Sequence, residues 1–106
     1  MSELVIYQHK RIFLTAHDYV IKIEMKLTKY LLKGYRPEYP ENYKFNWIAF
    51  NQNNPEEKVL FDNHHNKFPH FHVNEQEVFF KWLNLEQAES LFFQKAKEQF
   101  GDFDYY

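Results

Sequence analysis

Tyr19, Ile21, Ile23, Met25 and Leu27 alternate with Val20, Lys22, Glu24, Lys26 and Thr28. A period of two with one apolar and one mostly polar face predicts an antiparallel strand. Two shorter apolar pieces, Val5-Ile6-Tyr7 and Arg11-Ile12-Phe13-Leu14, precede it. Thr15-Ala16-His17-Asp18 is the turn expected to fold them onto it as a hairpin. Residues 34–42 hold Pro37 and Pro40, which restrict their neighbours to extended or turn backbone and predict a loop. Tyr43, Phe45, Trp47 and Ala49 then alternate with Lys44, Asn46, Ile48 and Phe50. The second face turns apolar toward its end, as expected of a central strand or one covered on both sides. Asn51–Glu57 is turn-forming, and Lys58–Asp62 resumes as the partner strand, giving a hairpin over 43–62.

Near the C-terminus the period changes to that of a helix. Leu85, Ala88, Leu91, Phe92 and Ala96 form an apolar stripe, with Glu86, Glu89, Lys95, Lys97 and Glu98 away from it. Asn84 is a good N-cap with Gln87 three residues on, and Gly101 stands where a helix end favours glycine. Val78–Trp82 fits either a short helix or an extended piece. The pattern predicts a single α+β domain over residues 1–106. It would be an antiparallel sheet of about four strands with one or two C-terminal helices packed on one face.

Composition narrows the class. The 106 residues are 44% hydrophobic and 26% charged, enough apolar material for a core and too much for disorder. Aromatic residues make up 21%, which lets a short chain bury a large apolar area. With no cysteine and two glycines, disulfide-stapled and collagen-like classes are excluded. No apolar run approaches the ~20 residues of a membrane span, and the opening residues show no signal-peptide pattern, so a cytoplasmic location away from membranes is expected. The net charge of −2 hides an asymmetry: residues 1–53 carry +3 and residues 54–106 carry −5. That split fits one basic working face and one acidic face.

Chemistry concentrates in one segment. Four of the six histidines fall in Phe61-Asp62-Asn63-His64-His65-Asn66-Lys67-Phe68-Pro69-His70-Phe71-His72. If residues 70–72 are extended, His70 and His72 share one face, about 7 Å apart at Cα, and Phe71 takes the other. Imidazole exchanges protons near neutrality, so His70 and His72 fit general acid and base, with Asp62 orienting one ring. Lys67, Arg36, Asn63 and His64 are the expected substrate contacts. Metal-free RNA cleavage requires little more than a base, an acid and a cation near the phosphate. Two other readings stay open: His-x-His with Asp62 or His64 as a divalent-metal site, and histidines that belong to a protein interface. Tyr35, Arg36 and Tyr39 suit base stacking beside a cation, or else simply cover the sheet edge. No Gly-rich phosphate loop, nucleophilic cysteine or Gly-x-Ser-x-Gly motif is present, which speaks against nucleotide-driven and acyl-transfer enzymes.

The order of these features resembles the TumE-type family of small bacterial toxins. The resemblance spans residues 18–100: the Gly34-Tyr35-Arg36-Pro37 loop, the strand through Tyr43-Lys44-Phe45, Val59-Leu60-Phe61-Asp62-Asn63, Phe68-Pro69-His70-Phe71-His72 and the terminal helix. Its sharp part is Asp62-Asn63 with Pro69-His70-x-His72. Where that pattern often has arginine before the aromatic-Asp-Asn triplet, this chain has Leu60, so the cation is expected from Lys58 or Lys67. The resemblance implies a cytoplasmic growth inhibitor neutralised by a cognate antitoxin, often a helix-turn-helix protein; RNA as the target, with no cofactor, is the expectation raised by the histidine cluster and by the frequency with which small toxins attack RNA. The rival expectation is a noncatalytic binding module whose aromatic surface is covered by a partner or by a second copy in a homodimer. A small metal-binding protein is the third.

Overall fold

The computed structural model describes residues 3–31 and 36–105. Gly34 and Tyr35 of the predicted loop lie outside these, as does Tyr106. Six strands, β1 (Glu3–Leu14), β2 (Val20–Tyr30), β3 (Tyr43–Asn51), β4 (Asn54–His64), β5 (Lys67–Val73) and β6 (Gln76–Phe79), precede one helix, α1 (Leu85–Phe100). The strands pair antiparallel in sequence order as a single meander. The class is therefore α+β as expected. The expectation of about four strands is corrected to six; of the one or two C-terminal helices expected, α1 forms, while Val78 and Phe79 belong to β6, and a single turn of 3-10 helix stands at Pro40–Asn42.

The two extra strands come from the histidine segment and from Gln76–Phe79. Their connections are two-residue turns at His65–Asn66 and Asn74–Glu75. Asn66 and Asn74 adopt positive φ, 63° and 57°, a region that asparagine enters at less cost than most residues. The turn between β3 and β4 is equally tight, so strand structure runs to Asn51 and restarts at Asn54 inside the stretch predicted as turn.

One face of the sheet carries the core. Ile21, Ile23, Met25 and Leu27 of β2, Phe45 and Trp47 of β3, and Val59 and Phe61 of β4 are buried against Ala88, Phe92, Ala96 and Phe100 of α1. The alanines bring the helix close, and Phe92 fills the space beside Trp47 and Phe61 at ring separations of 5.9 and 5.4 Å. Asn84 caps α1 by accepting a hydrogen bond from the Gln87 amide at 2.8 Å, as its sequence position predicts. No helix among the described residues is long and apolar enough to cross a membrane.

At the other end of α1, Gly101 has φ +91°, and a Cβ there would stand 2.8 Å from His17 Cγ and 3.0 Å from its backbone nitrogen. The β1–β2 turn is tied to this corner by the Thr15 hydroxyl, which donates to the Phe100 carbonyl at 2.6 Å, and by Ala16 N–H to the Asp102 carbonyl at 2.8 Å. Gly101→Ala must both strain the backbone and displace that turn. It is expected to cost about 2 kcal/mol, read as a lower denaturant midpoint at unchanged slope. An unchanged midpoint would show that the turn yields freely.

Candidate functional site

Among the described residues no helix covers the face of the sheet opposite α1, and its chemistry is set by register. In antiparallel pairs, residues directly opposite each other share a face. Asp62 of β4 lies opposite His70 of β5, which lies opposite Phe79 of β6; Leu60 lies opposite His72, which lies opposite Glu77. Phe71 points the other way and stacks on Phe61 at 4.8 Å within the core. The alternation expected for His70-Phe71-His72 is therefore realised.

A bulge re-aims this region. Asp62 pairs with His70 and His64 with Lys67, so Phe68 and Pro69 together oppose Asn63. Pro69 has no N–H for the ladder, and a bulge is where an interior strand tolerates proline. The His70 Nδ1 donates to the Phe68 carbonyl at 2.8 Å, which fixes the ring and its tautomer on that side. His70 Nε2 then lies 2.7 Å from Asp62 Oδ1 and 3.5 Å from Glu77 Oε1. The first contact is short but misaligned for a hydrogen bond, so Asp62 Oδ1 is buried with no donor directed at it. The His72 Nε2 approaches the same Glu77 oxygen at 3.6 Å. One ligand atom each from Asp62, His70 and His72 fit within 4.8 Å of one another.

Access differs sharply between the two imidazoles. The His70 side chain is 2% exposed, held under Phe79 and edge-on to His64 and His72, whereas 29% of the His72 side chain is open. His72 lines a groove of about 420 Å³ with Lys58, Leu60, Asn74 and Glu75. The Lys67 ammonium contacts Glu77 Oε1 at 2.5 Å. That hydrogen bond holds the Glu77 carboxyl below the usual carboxylate range, with the charges of Lys67, His70 and His72 adding to it.

The other expected contacts are distributed differently. His64 is exposed, with its ring 6.1 Å from that of His70 and its Nδ1 3.2 Å from the His65 carbonyl. Arg36 is exposed beside the tight turn in which its carbonyl accepts the Tyr39 amide. Asn63 is on the core side and 1% exposed. Its Oδ1 accepts from the Phe45 amide at 2.9 Å, and its Nδ2 donates to the Glu38 and Tyr43 carbonyls at 2.7 and 3.0 Å. The structure thus gathers Asp62, His70, His72 and Lys67, and uses Asn63 to anchor the 36–43 segment. Sequence reasoning missed Glu77. The signal for it was the two-residue turn at Asn74–Glu75, because closing that hairpin places Glu77 opposite His72.

No family model, curated protein or solved structure matches the chain. Its functional reading rests on this geometry.

Proposed function

We propose that the chain is a cytoplasmic toxin of a toxin–antitoxin pair that cleaves RNA at the Asp62–His70–His72 cluster. The supporting observation is the convergence of a carboxylate and two imidazoles on the helix-free face, with His72 open to a groove that Lys58 also lines. His72, whose side chain is partly open, takes the proton of the 2′-hydroxyl as that oxygen attacks phosphorus, the bond from phosphorus to the 5′-oxygen breaks, and the departing 5′-oxygen is protonated from solvent in the groove. Lys58, on that groove, carries the positive charge that a phosphodiester requires, while the Lys67 ammonium is paired with Glu77. His70 is buried, with Nδ1 bound to the Phe68 carbonyl and Nε2 facing the carboxylates, so it is a positioning residue that fixes the edge on which His72 packs, with ring centroids 5.1 Å apart. Exposed Phe68 and Phe79 beside His70 provide apolar area for the antitoxin.

The test is tightly induced expression of wild type and His72→Ala in bacteria, followed by incubation of each purified protein with total RNA in excess chelator. Growth arrest and RNA cleavage by wild type, and neither by a folded His72→Ala, are the expected outcomes. A loss of a general acid–base group lowers rate by about 10²–10⁴-fold. Arrest by both proteins would move the activity to another surface, and arrest by neither, with soluble protein present, would overturn the toxin reading in favour of a noncatalytic binding module.

A further inference from the structure

His70 presents an electrostatic problem that its neighbours do not solve. With Nδ1 committed as donor to the Phe68 carbonyl, Nε2 faces two carboxylate oxygens, Asp62 Oδ1 at 2.7 Å and Glu77 Oε1 at 3.5 Å. Such a group is held together by positive charge between its atoms, either a proton on Nε2 or a metal ion. Lys67 supplies positive charge only at the outer side, at Glu77, and leaves Asp62 Oδ1 buried and without a donor.

We infer that Asp62, His70, His72 and Glu77 form a binding site for a divalent transition-metal ion, zinc above all, and that the bound ion silences the proton transfer at His72. A tetrahedral zinc ion with arms of about 2.1 Å separates its ligand atoms by about 3.4 Å. The His70–Glu77 and His72–Glu77 pairs already stand at 3.5 and 3.6 Å, and the Asp62–His70 pair has only to open from 2.7 Å. The donor set of two imidazoles and two carboxylates, with no thiolate, suits zinc and its neighbours in the first transition row rather than magnesium or calcium. The Nδ1–Phe68 hydrogen bond is the outer-sphere contact that a metal-bound histidine generally makes, orienting Nε2 toward the ion. Binding consumes the His72 Nε2 lone pair, which is the atom the proposed cleavage uses. This second half rests on the functional reading above; the binding half does not.

Metal-free wild type titrated with zinc chloride by calorimetry, without an affinity tag, is expected to bind one ion per chain with a raised melting temperature. Losing an outer-sphere partner typically weakens metal sites about 10–100-fold, and losing a ligand costs at least as much. His72→Ala, at a partly open position, is therefore expected to weaken binding by tenfold or more while remaining folded. Lys67→Met, which removes the competing cation from Glu77, is expected to tighten it. RNA cleavage by wild type should fall as one equivalent of zinc is added. Equal zinc affinity in wild type and His72→Ala, or weaker binding in Lys67→Met, would overturn the metal site. Saturable binding that depends on His72 in a protein with no RNA cleavage would uphold the site and remove the functional reading instead.

Discussion

Asn63→Ala is expected to destabilise the protein by about 2–6 kcal/mol, because it leaves two buried backbone groups without partners at about 1–3 kcal/mol each, beside a third that is only partly buried. The groups are the Phe45 amide and the Glu38 and Tyr43 carbonyls, which the side chain serves at 2.7–3.0 Å. The surroundings offer no water as substitute, since Asn63 and Phe45 are each 1% exposed. A single domain is stable by only about 5–15 kcal/mol, so the loss takes the variant close to unfolding at ordinary temperature. Asn63→Asp should fare no better. It keeps the acceptor for Phe45 but sets an oxygen against two carbonyls in place of the amide donor. Urea denaturation of both variants, with hydrogen exchange at the Phe45 amide, measures the effect. A substrate-contact role predicts the opposite pattern, full stability with lost activity, and that result would refute the anchoring role given to Asn63 here.

The same residue shows why part of the site was unreadable from sequence. Asn63 follows Asp62, the last residue of the strand predicted over Lys58–Asp62, and sequence alone leaves it with His64 in the polar stretch beyond. The strand period decides otherwise: β4 sends Phe61 and Asn63 to the core and Asp62 to the open face. An asparagine inside a core is stable only because the 38–43 backbone presents one donor and two acceptors to it, and such long-range complementarity leaves no local sequence mark. The hairpin of β3 and β4, the long alternating β2 and the capped helix were legible because each is encoded by local periodicity and end signals. Strand β5 was not, because Pro69 argues against an interior strand until the bulge that accommodates it is known. The shared face of His70 and His72 followed from their spacing, whereas their unequal exposure depended on Phe79, brought across by β6.

The second large effect is expected at His70 itself. His70→Phe preserves a ring of similar shape beneath Phe79 but removes the donor to the Phe68 carbonyl and leaves the Asp62 carboxylate against an apolar face. Breaking one side of a buried ion pair costs about 3–5 kcal/mol when both partners are buried, and the 2.7 Å contact of Nε2 with Asp62 is such a pair when His70 holds a proton on both nitrogens. Asp62 retains 20% exposure, so about 2–4 kcal/mol is expected here. The double variant Asp62→Leu/His70→Phe removes the isolated charge and should recover more than half of that loss, since apolar replacement of a buried pair is often near neutral. It should not recover growth arrest or RNA cleavage, because the ring edge and carboxylate that position His72 are both gone. A double-mutant cycle on melting temperature, run beside the cleavage assay, separates the two consequences. Full stability in the single variant would show that Asp62 and His70 do not depend on one another. Failure of the double variant to recover would place the loss in the Phe68 hydrogen bond alone. Cleavage restored together with stability would mean that the pair holds the fold and has no part in the chemistry.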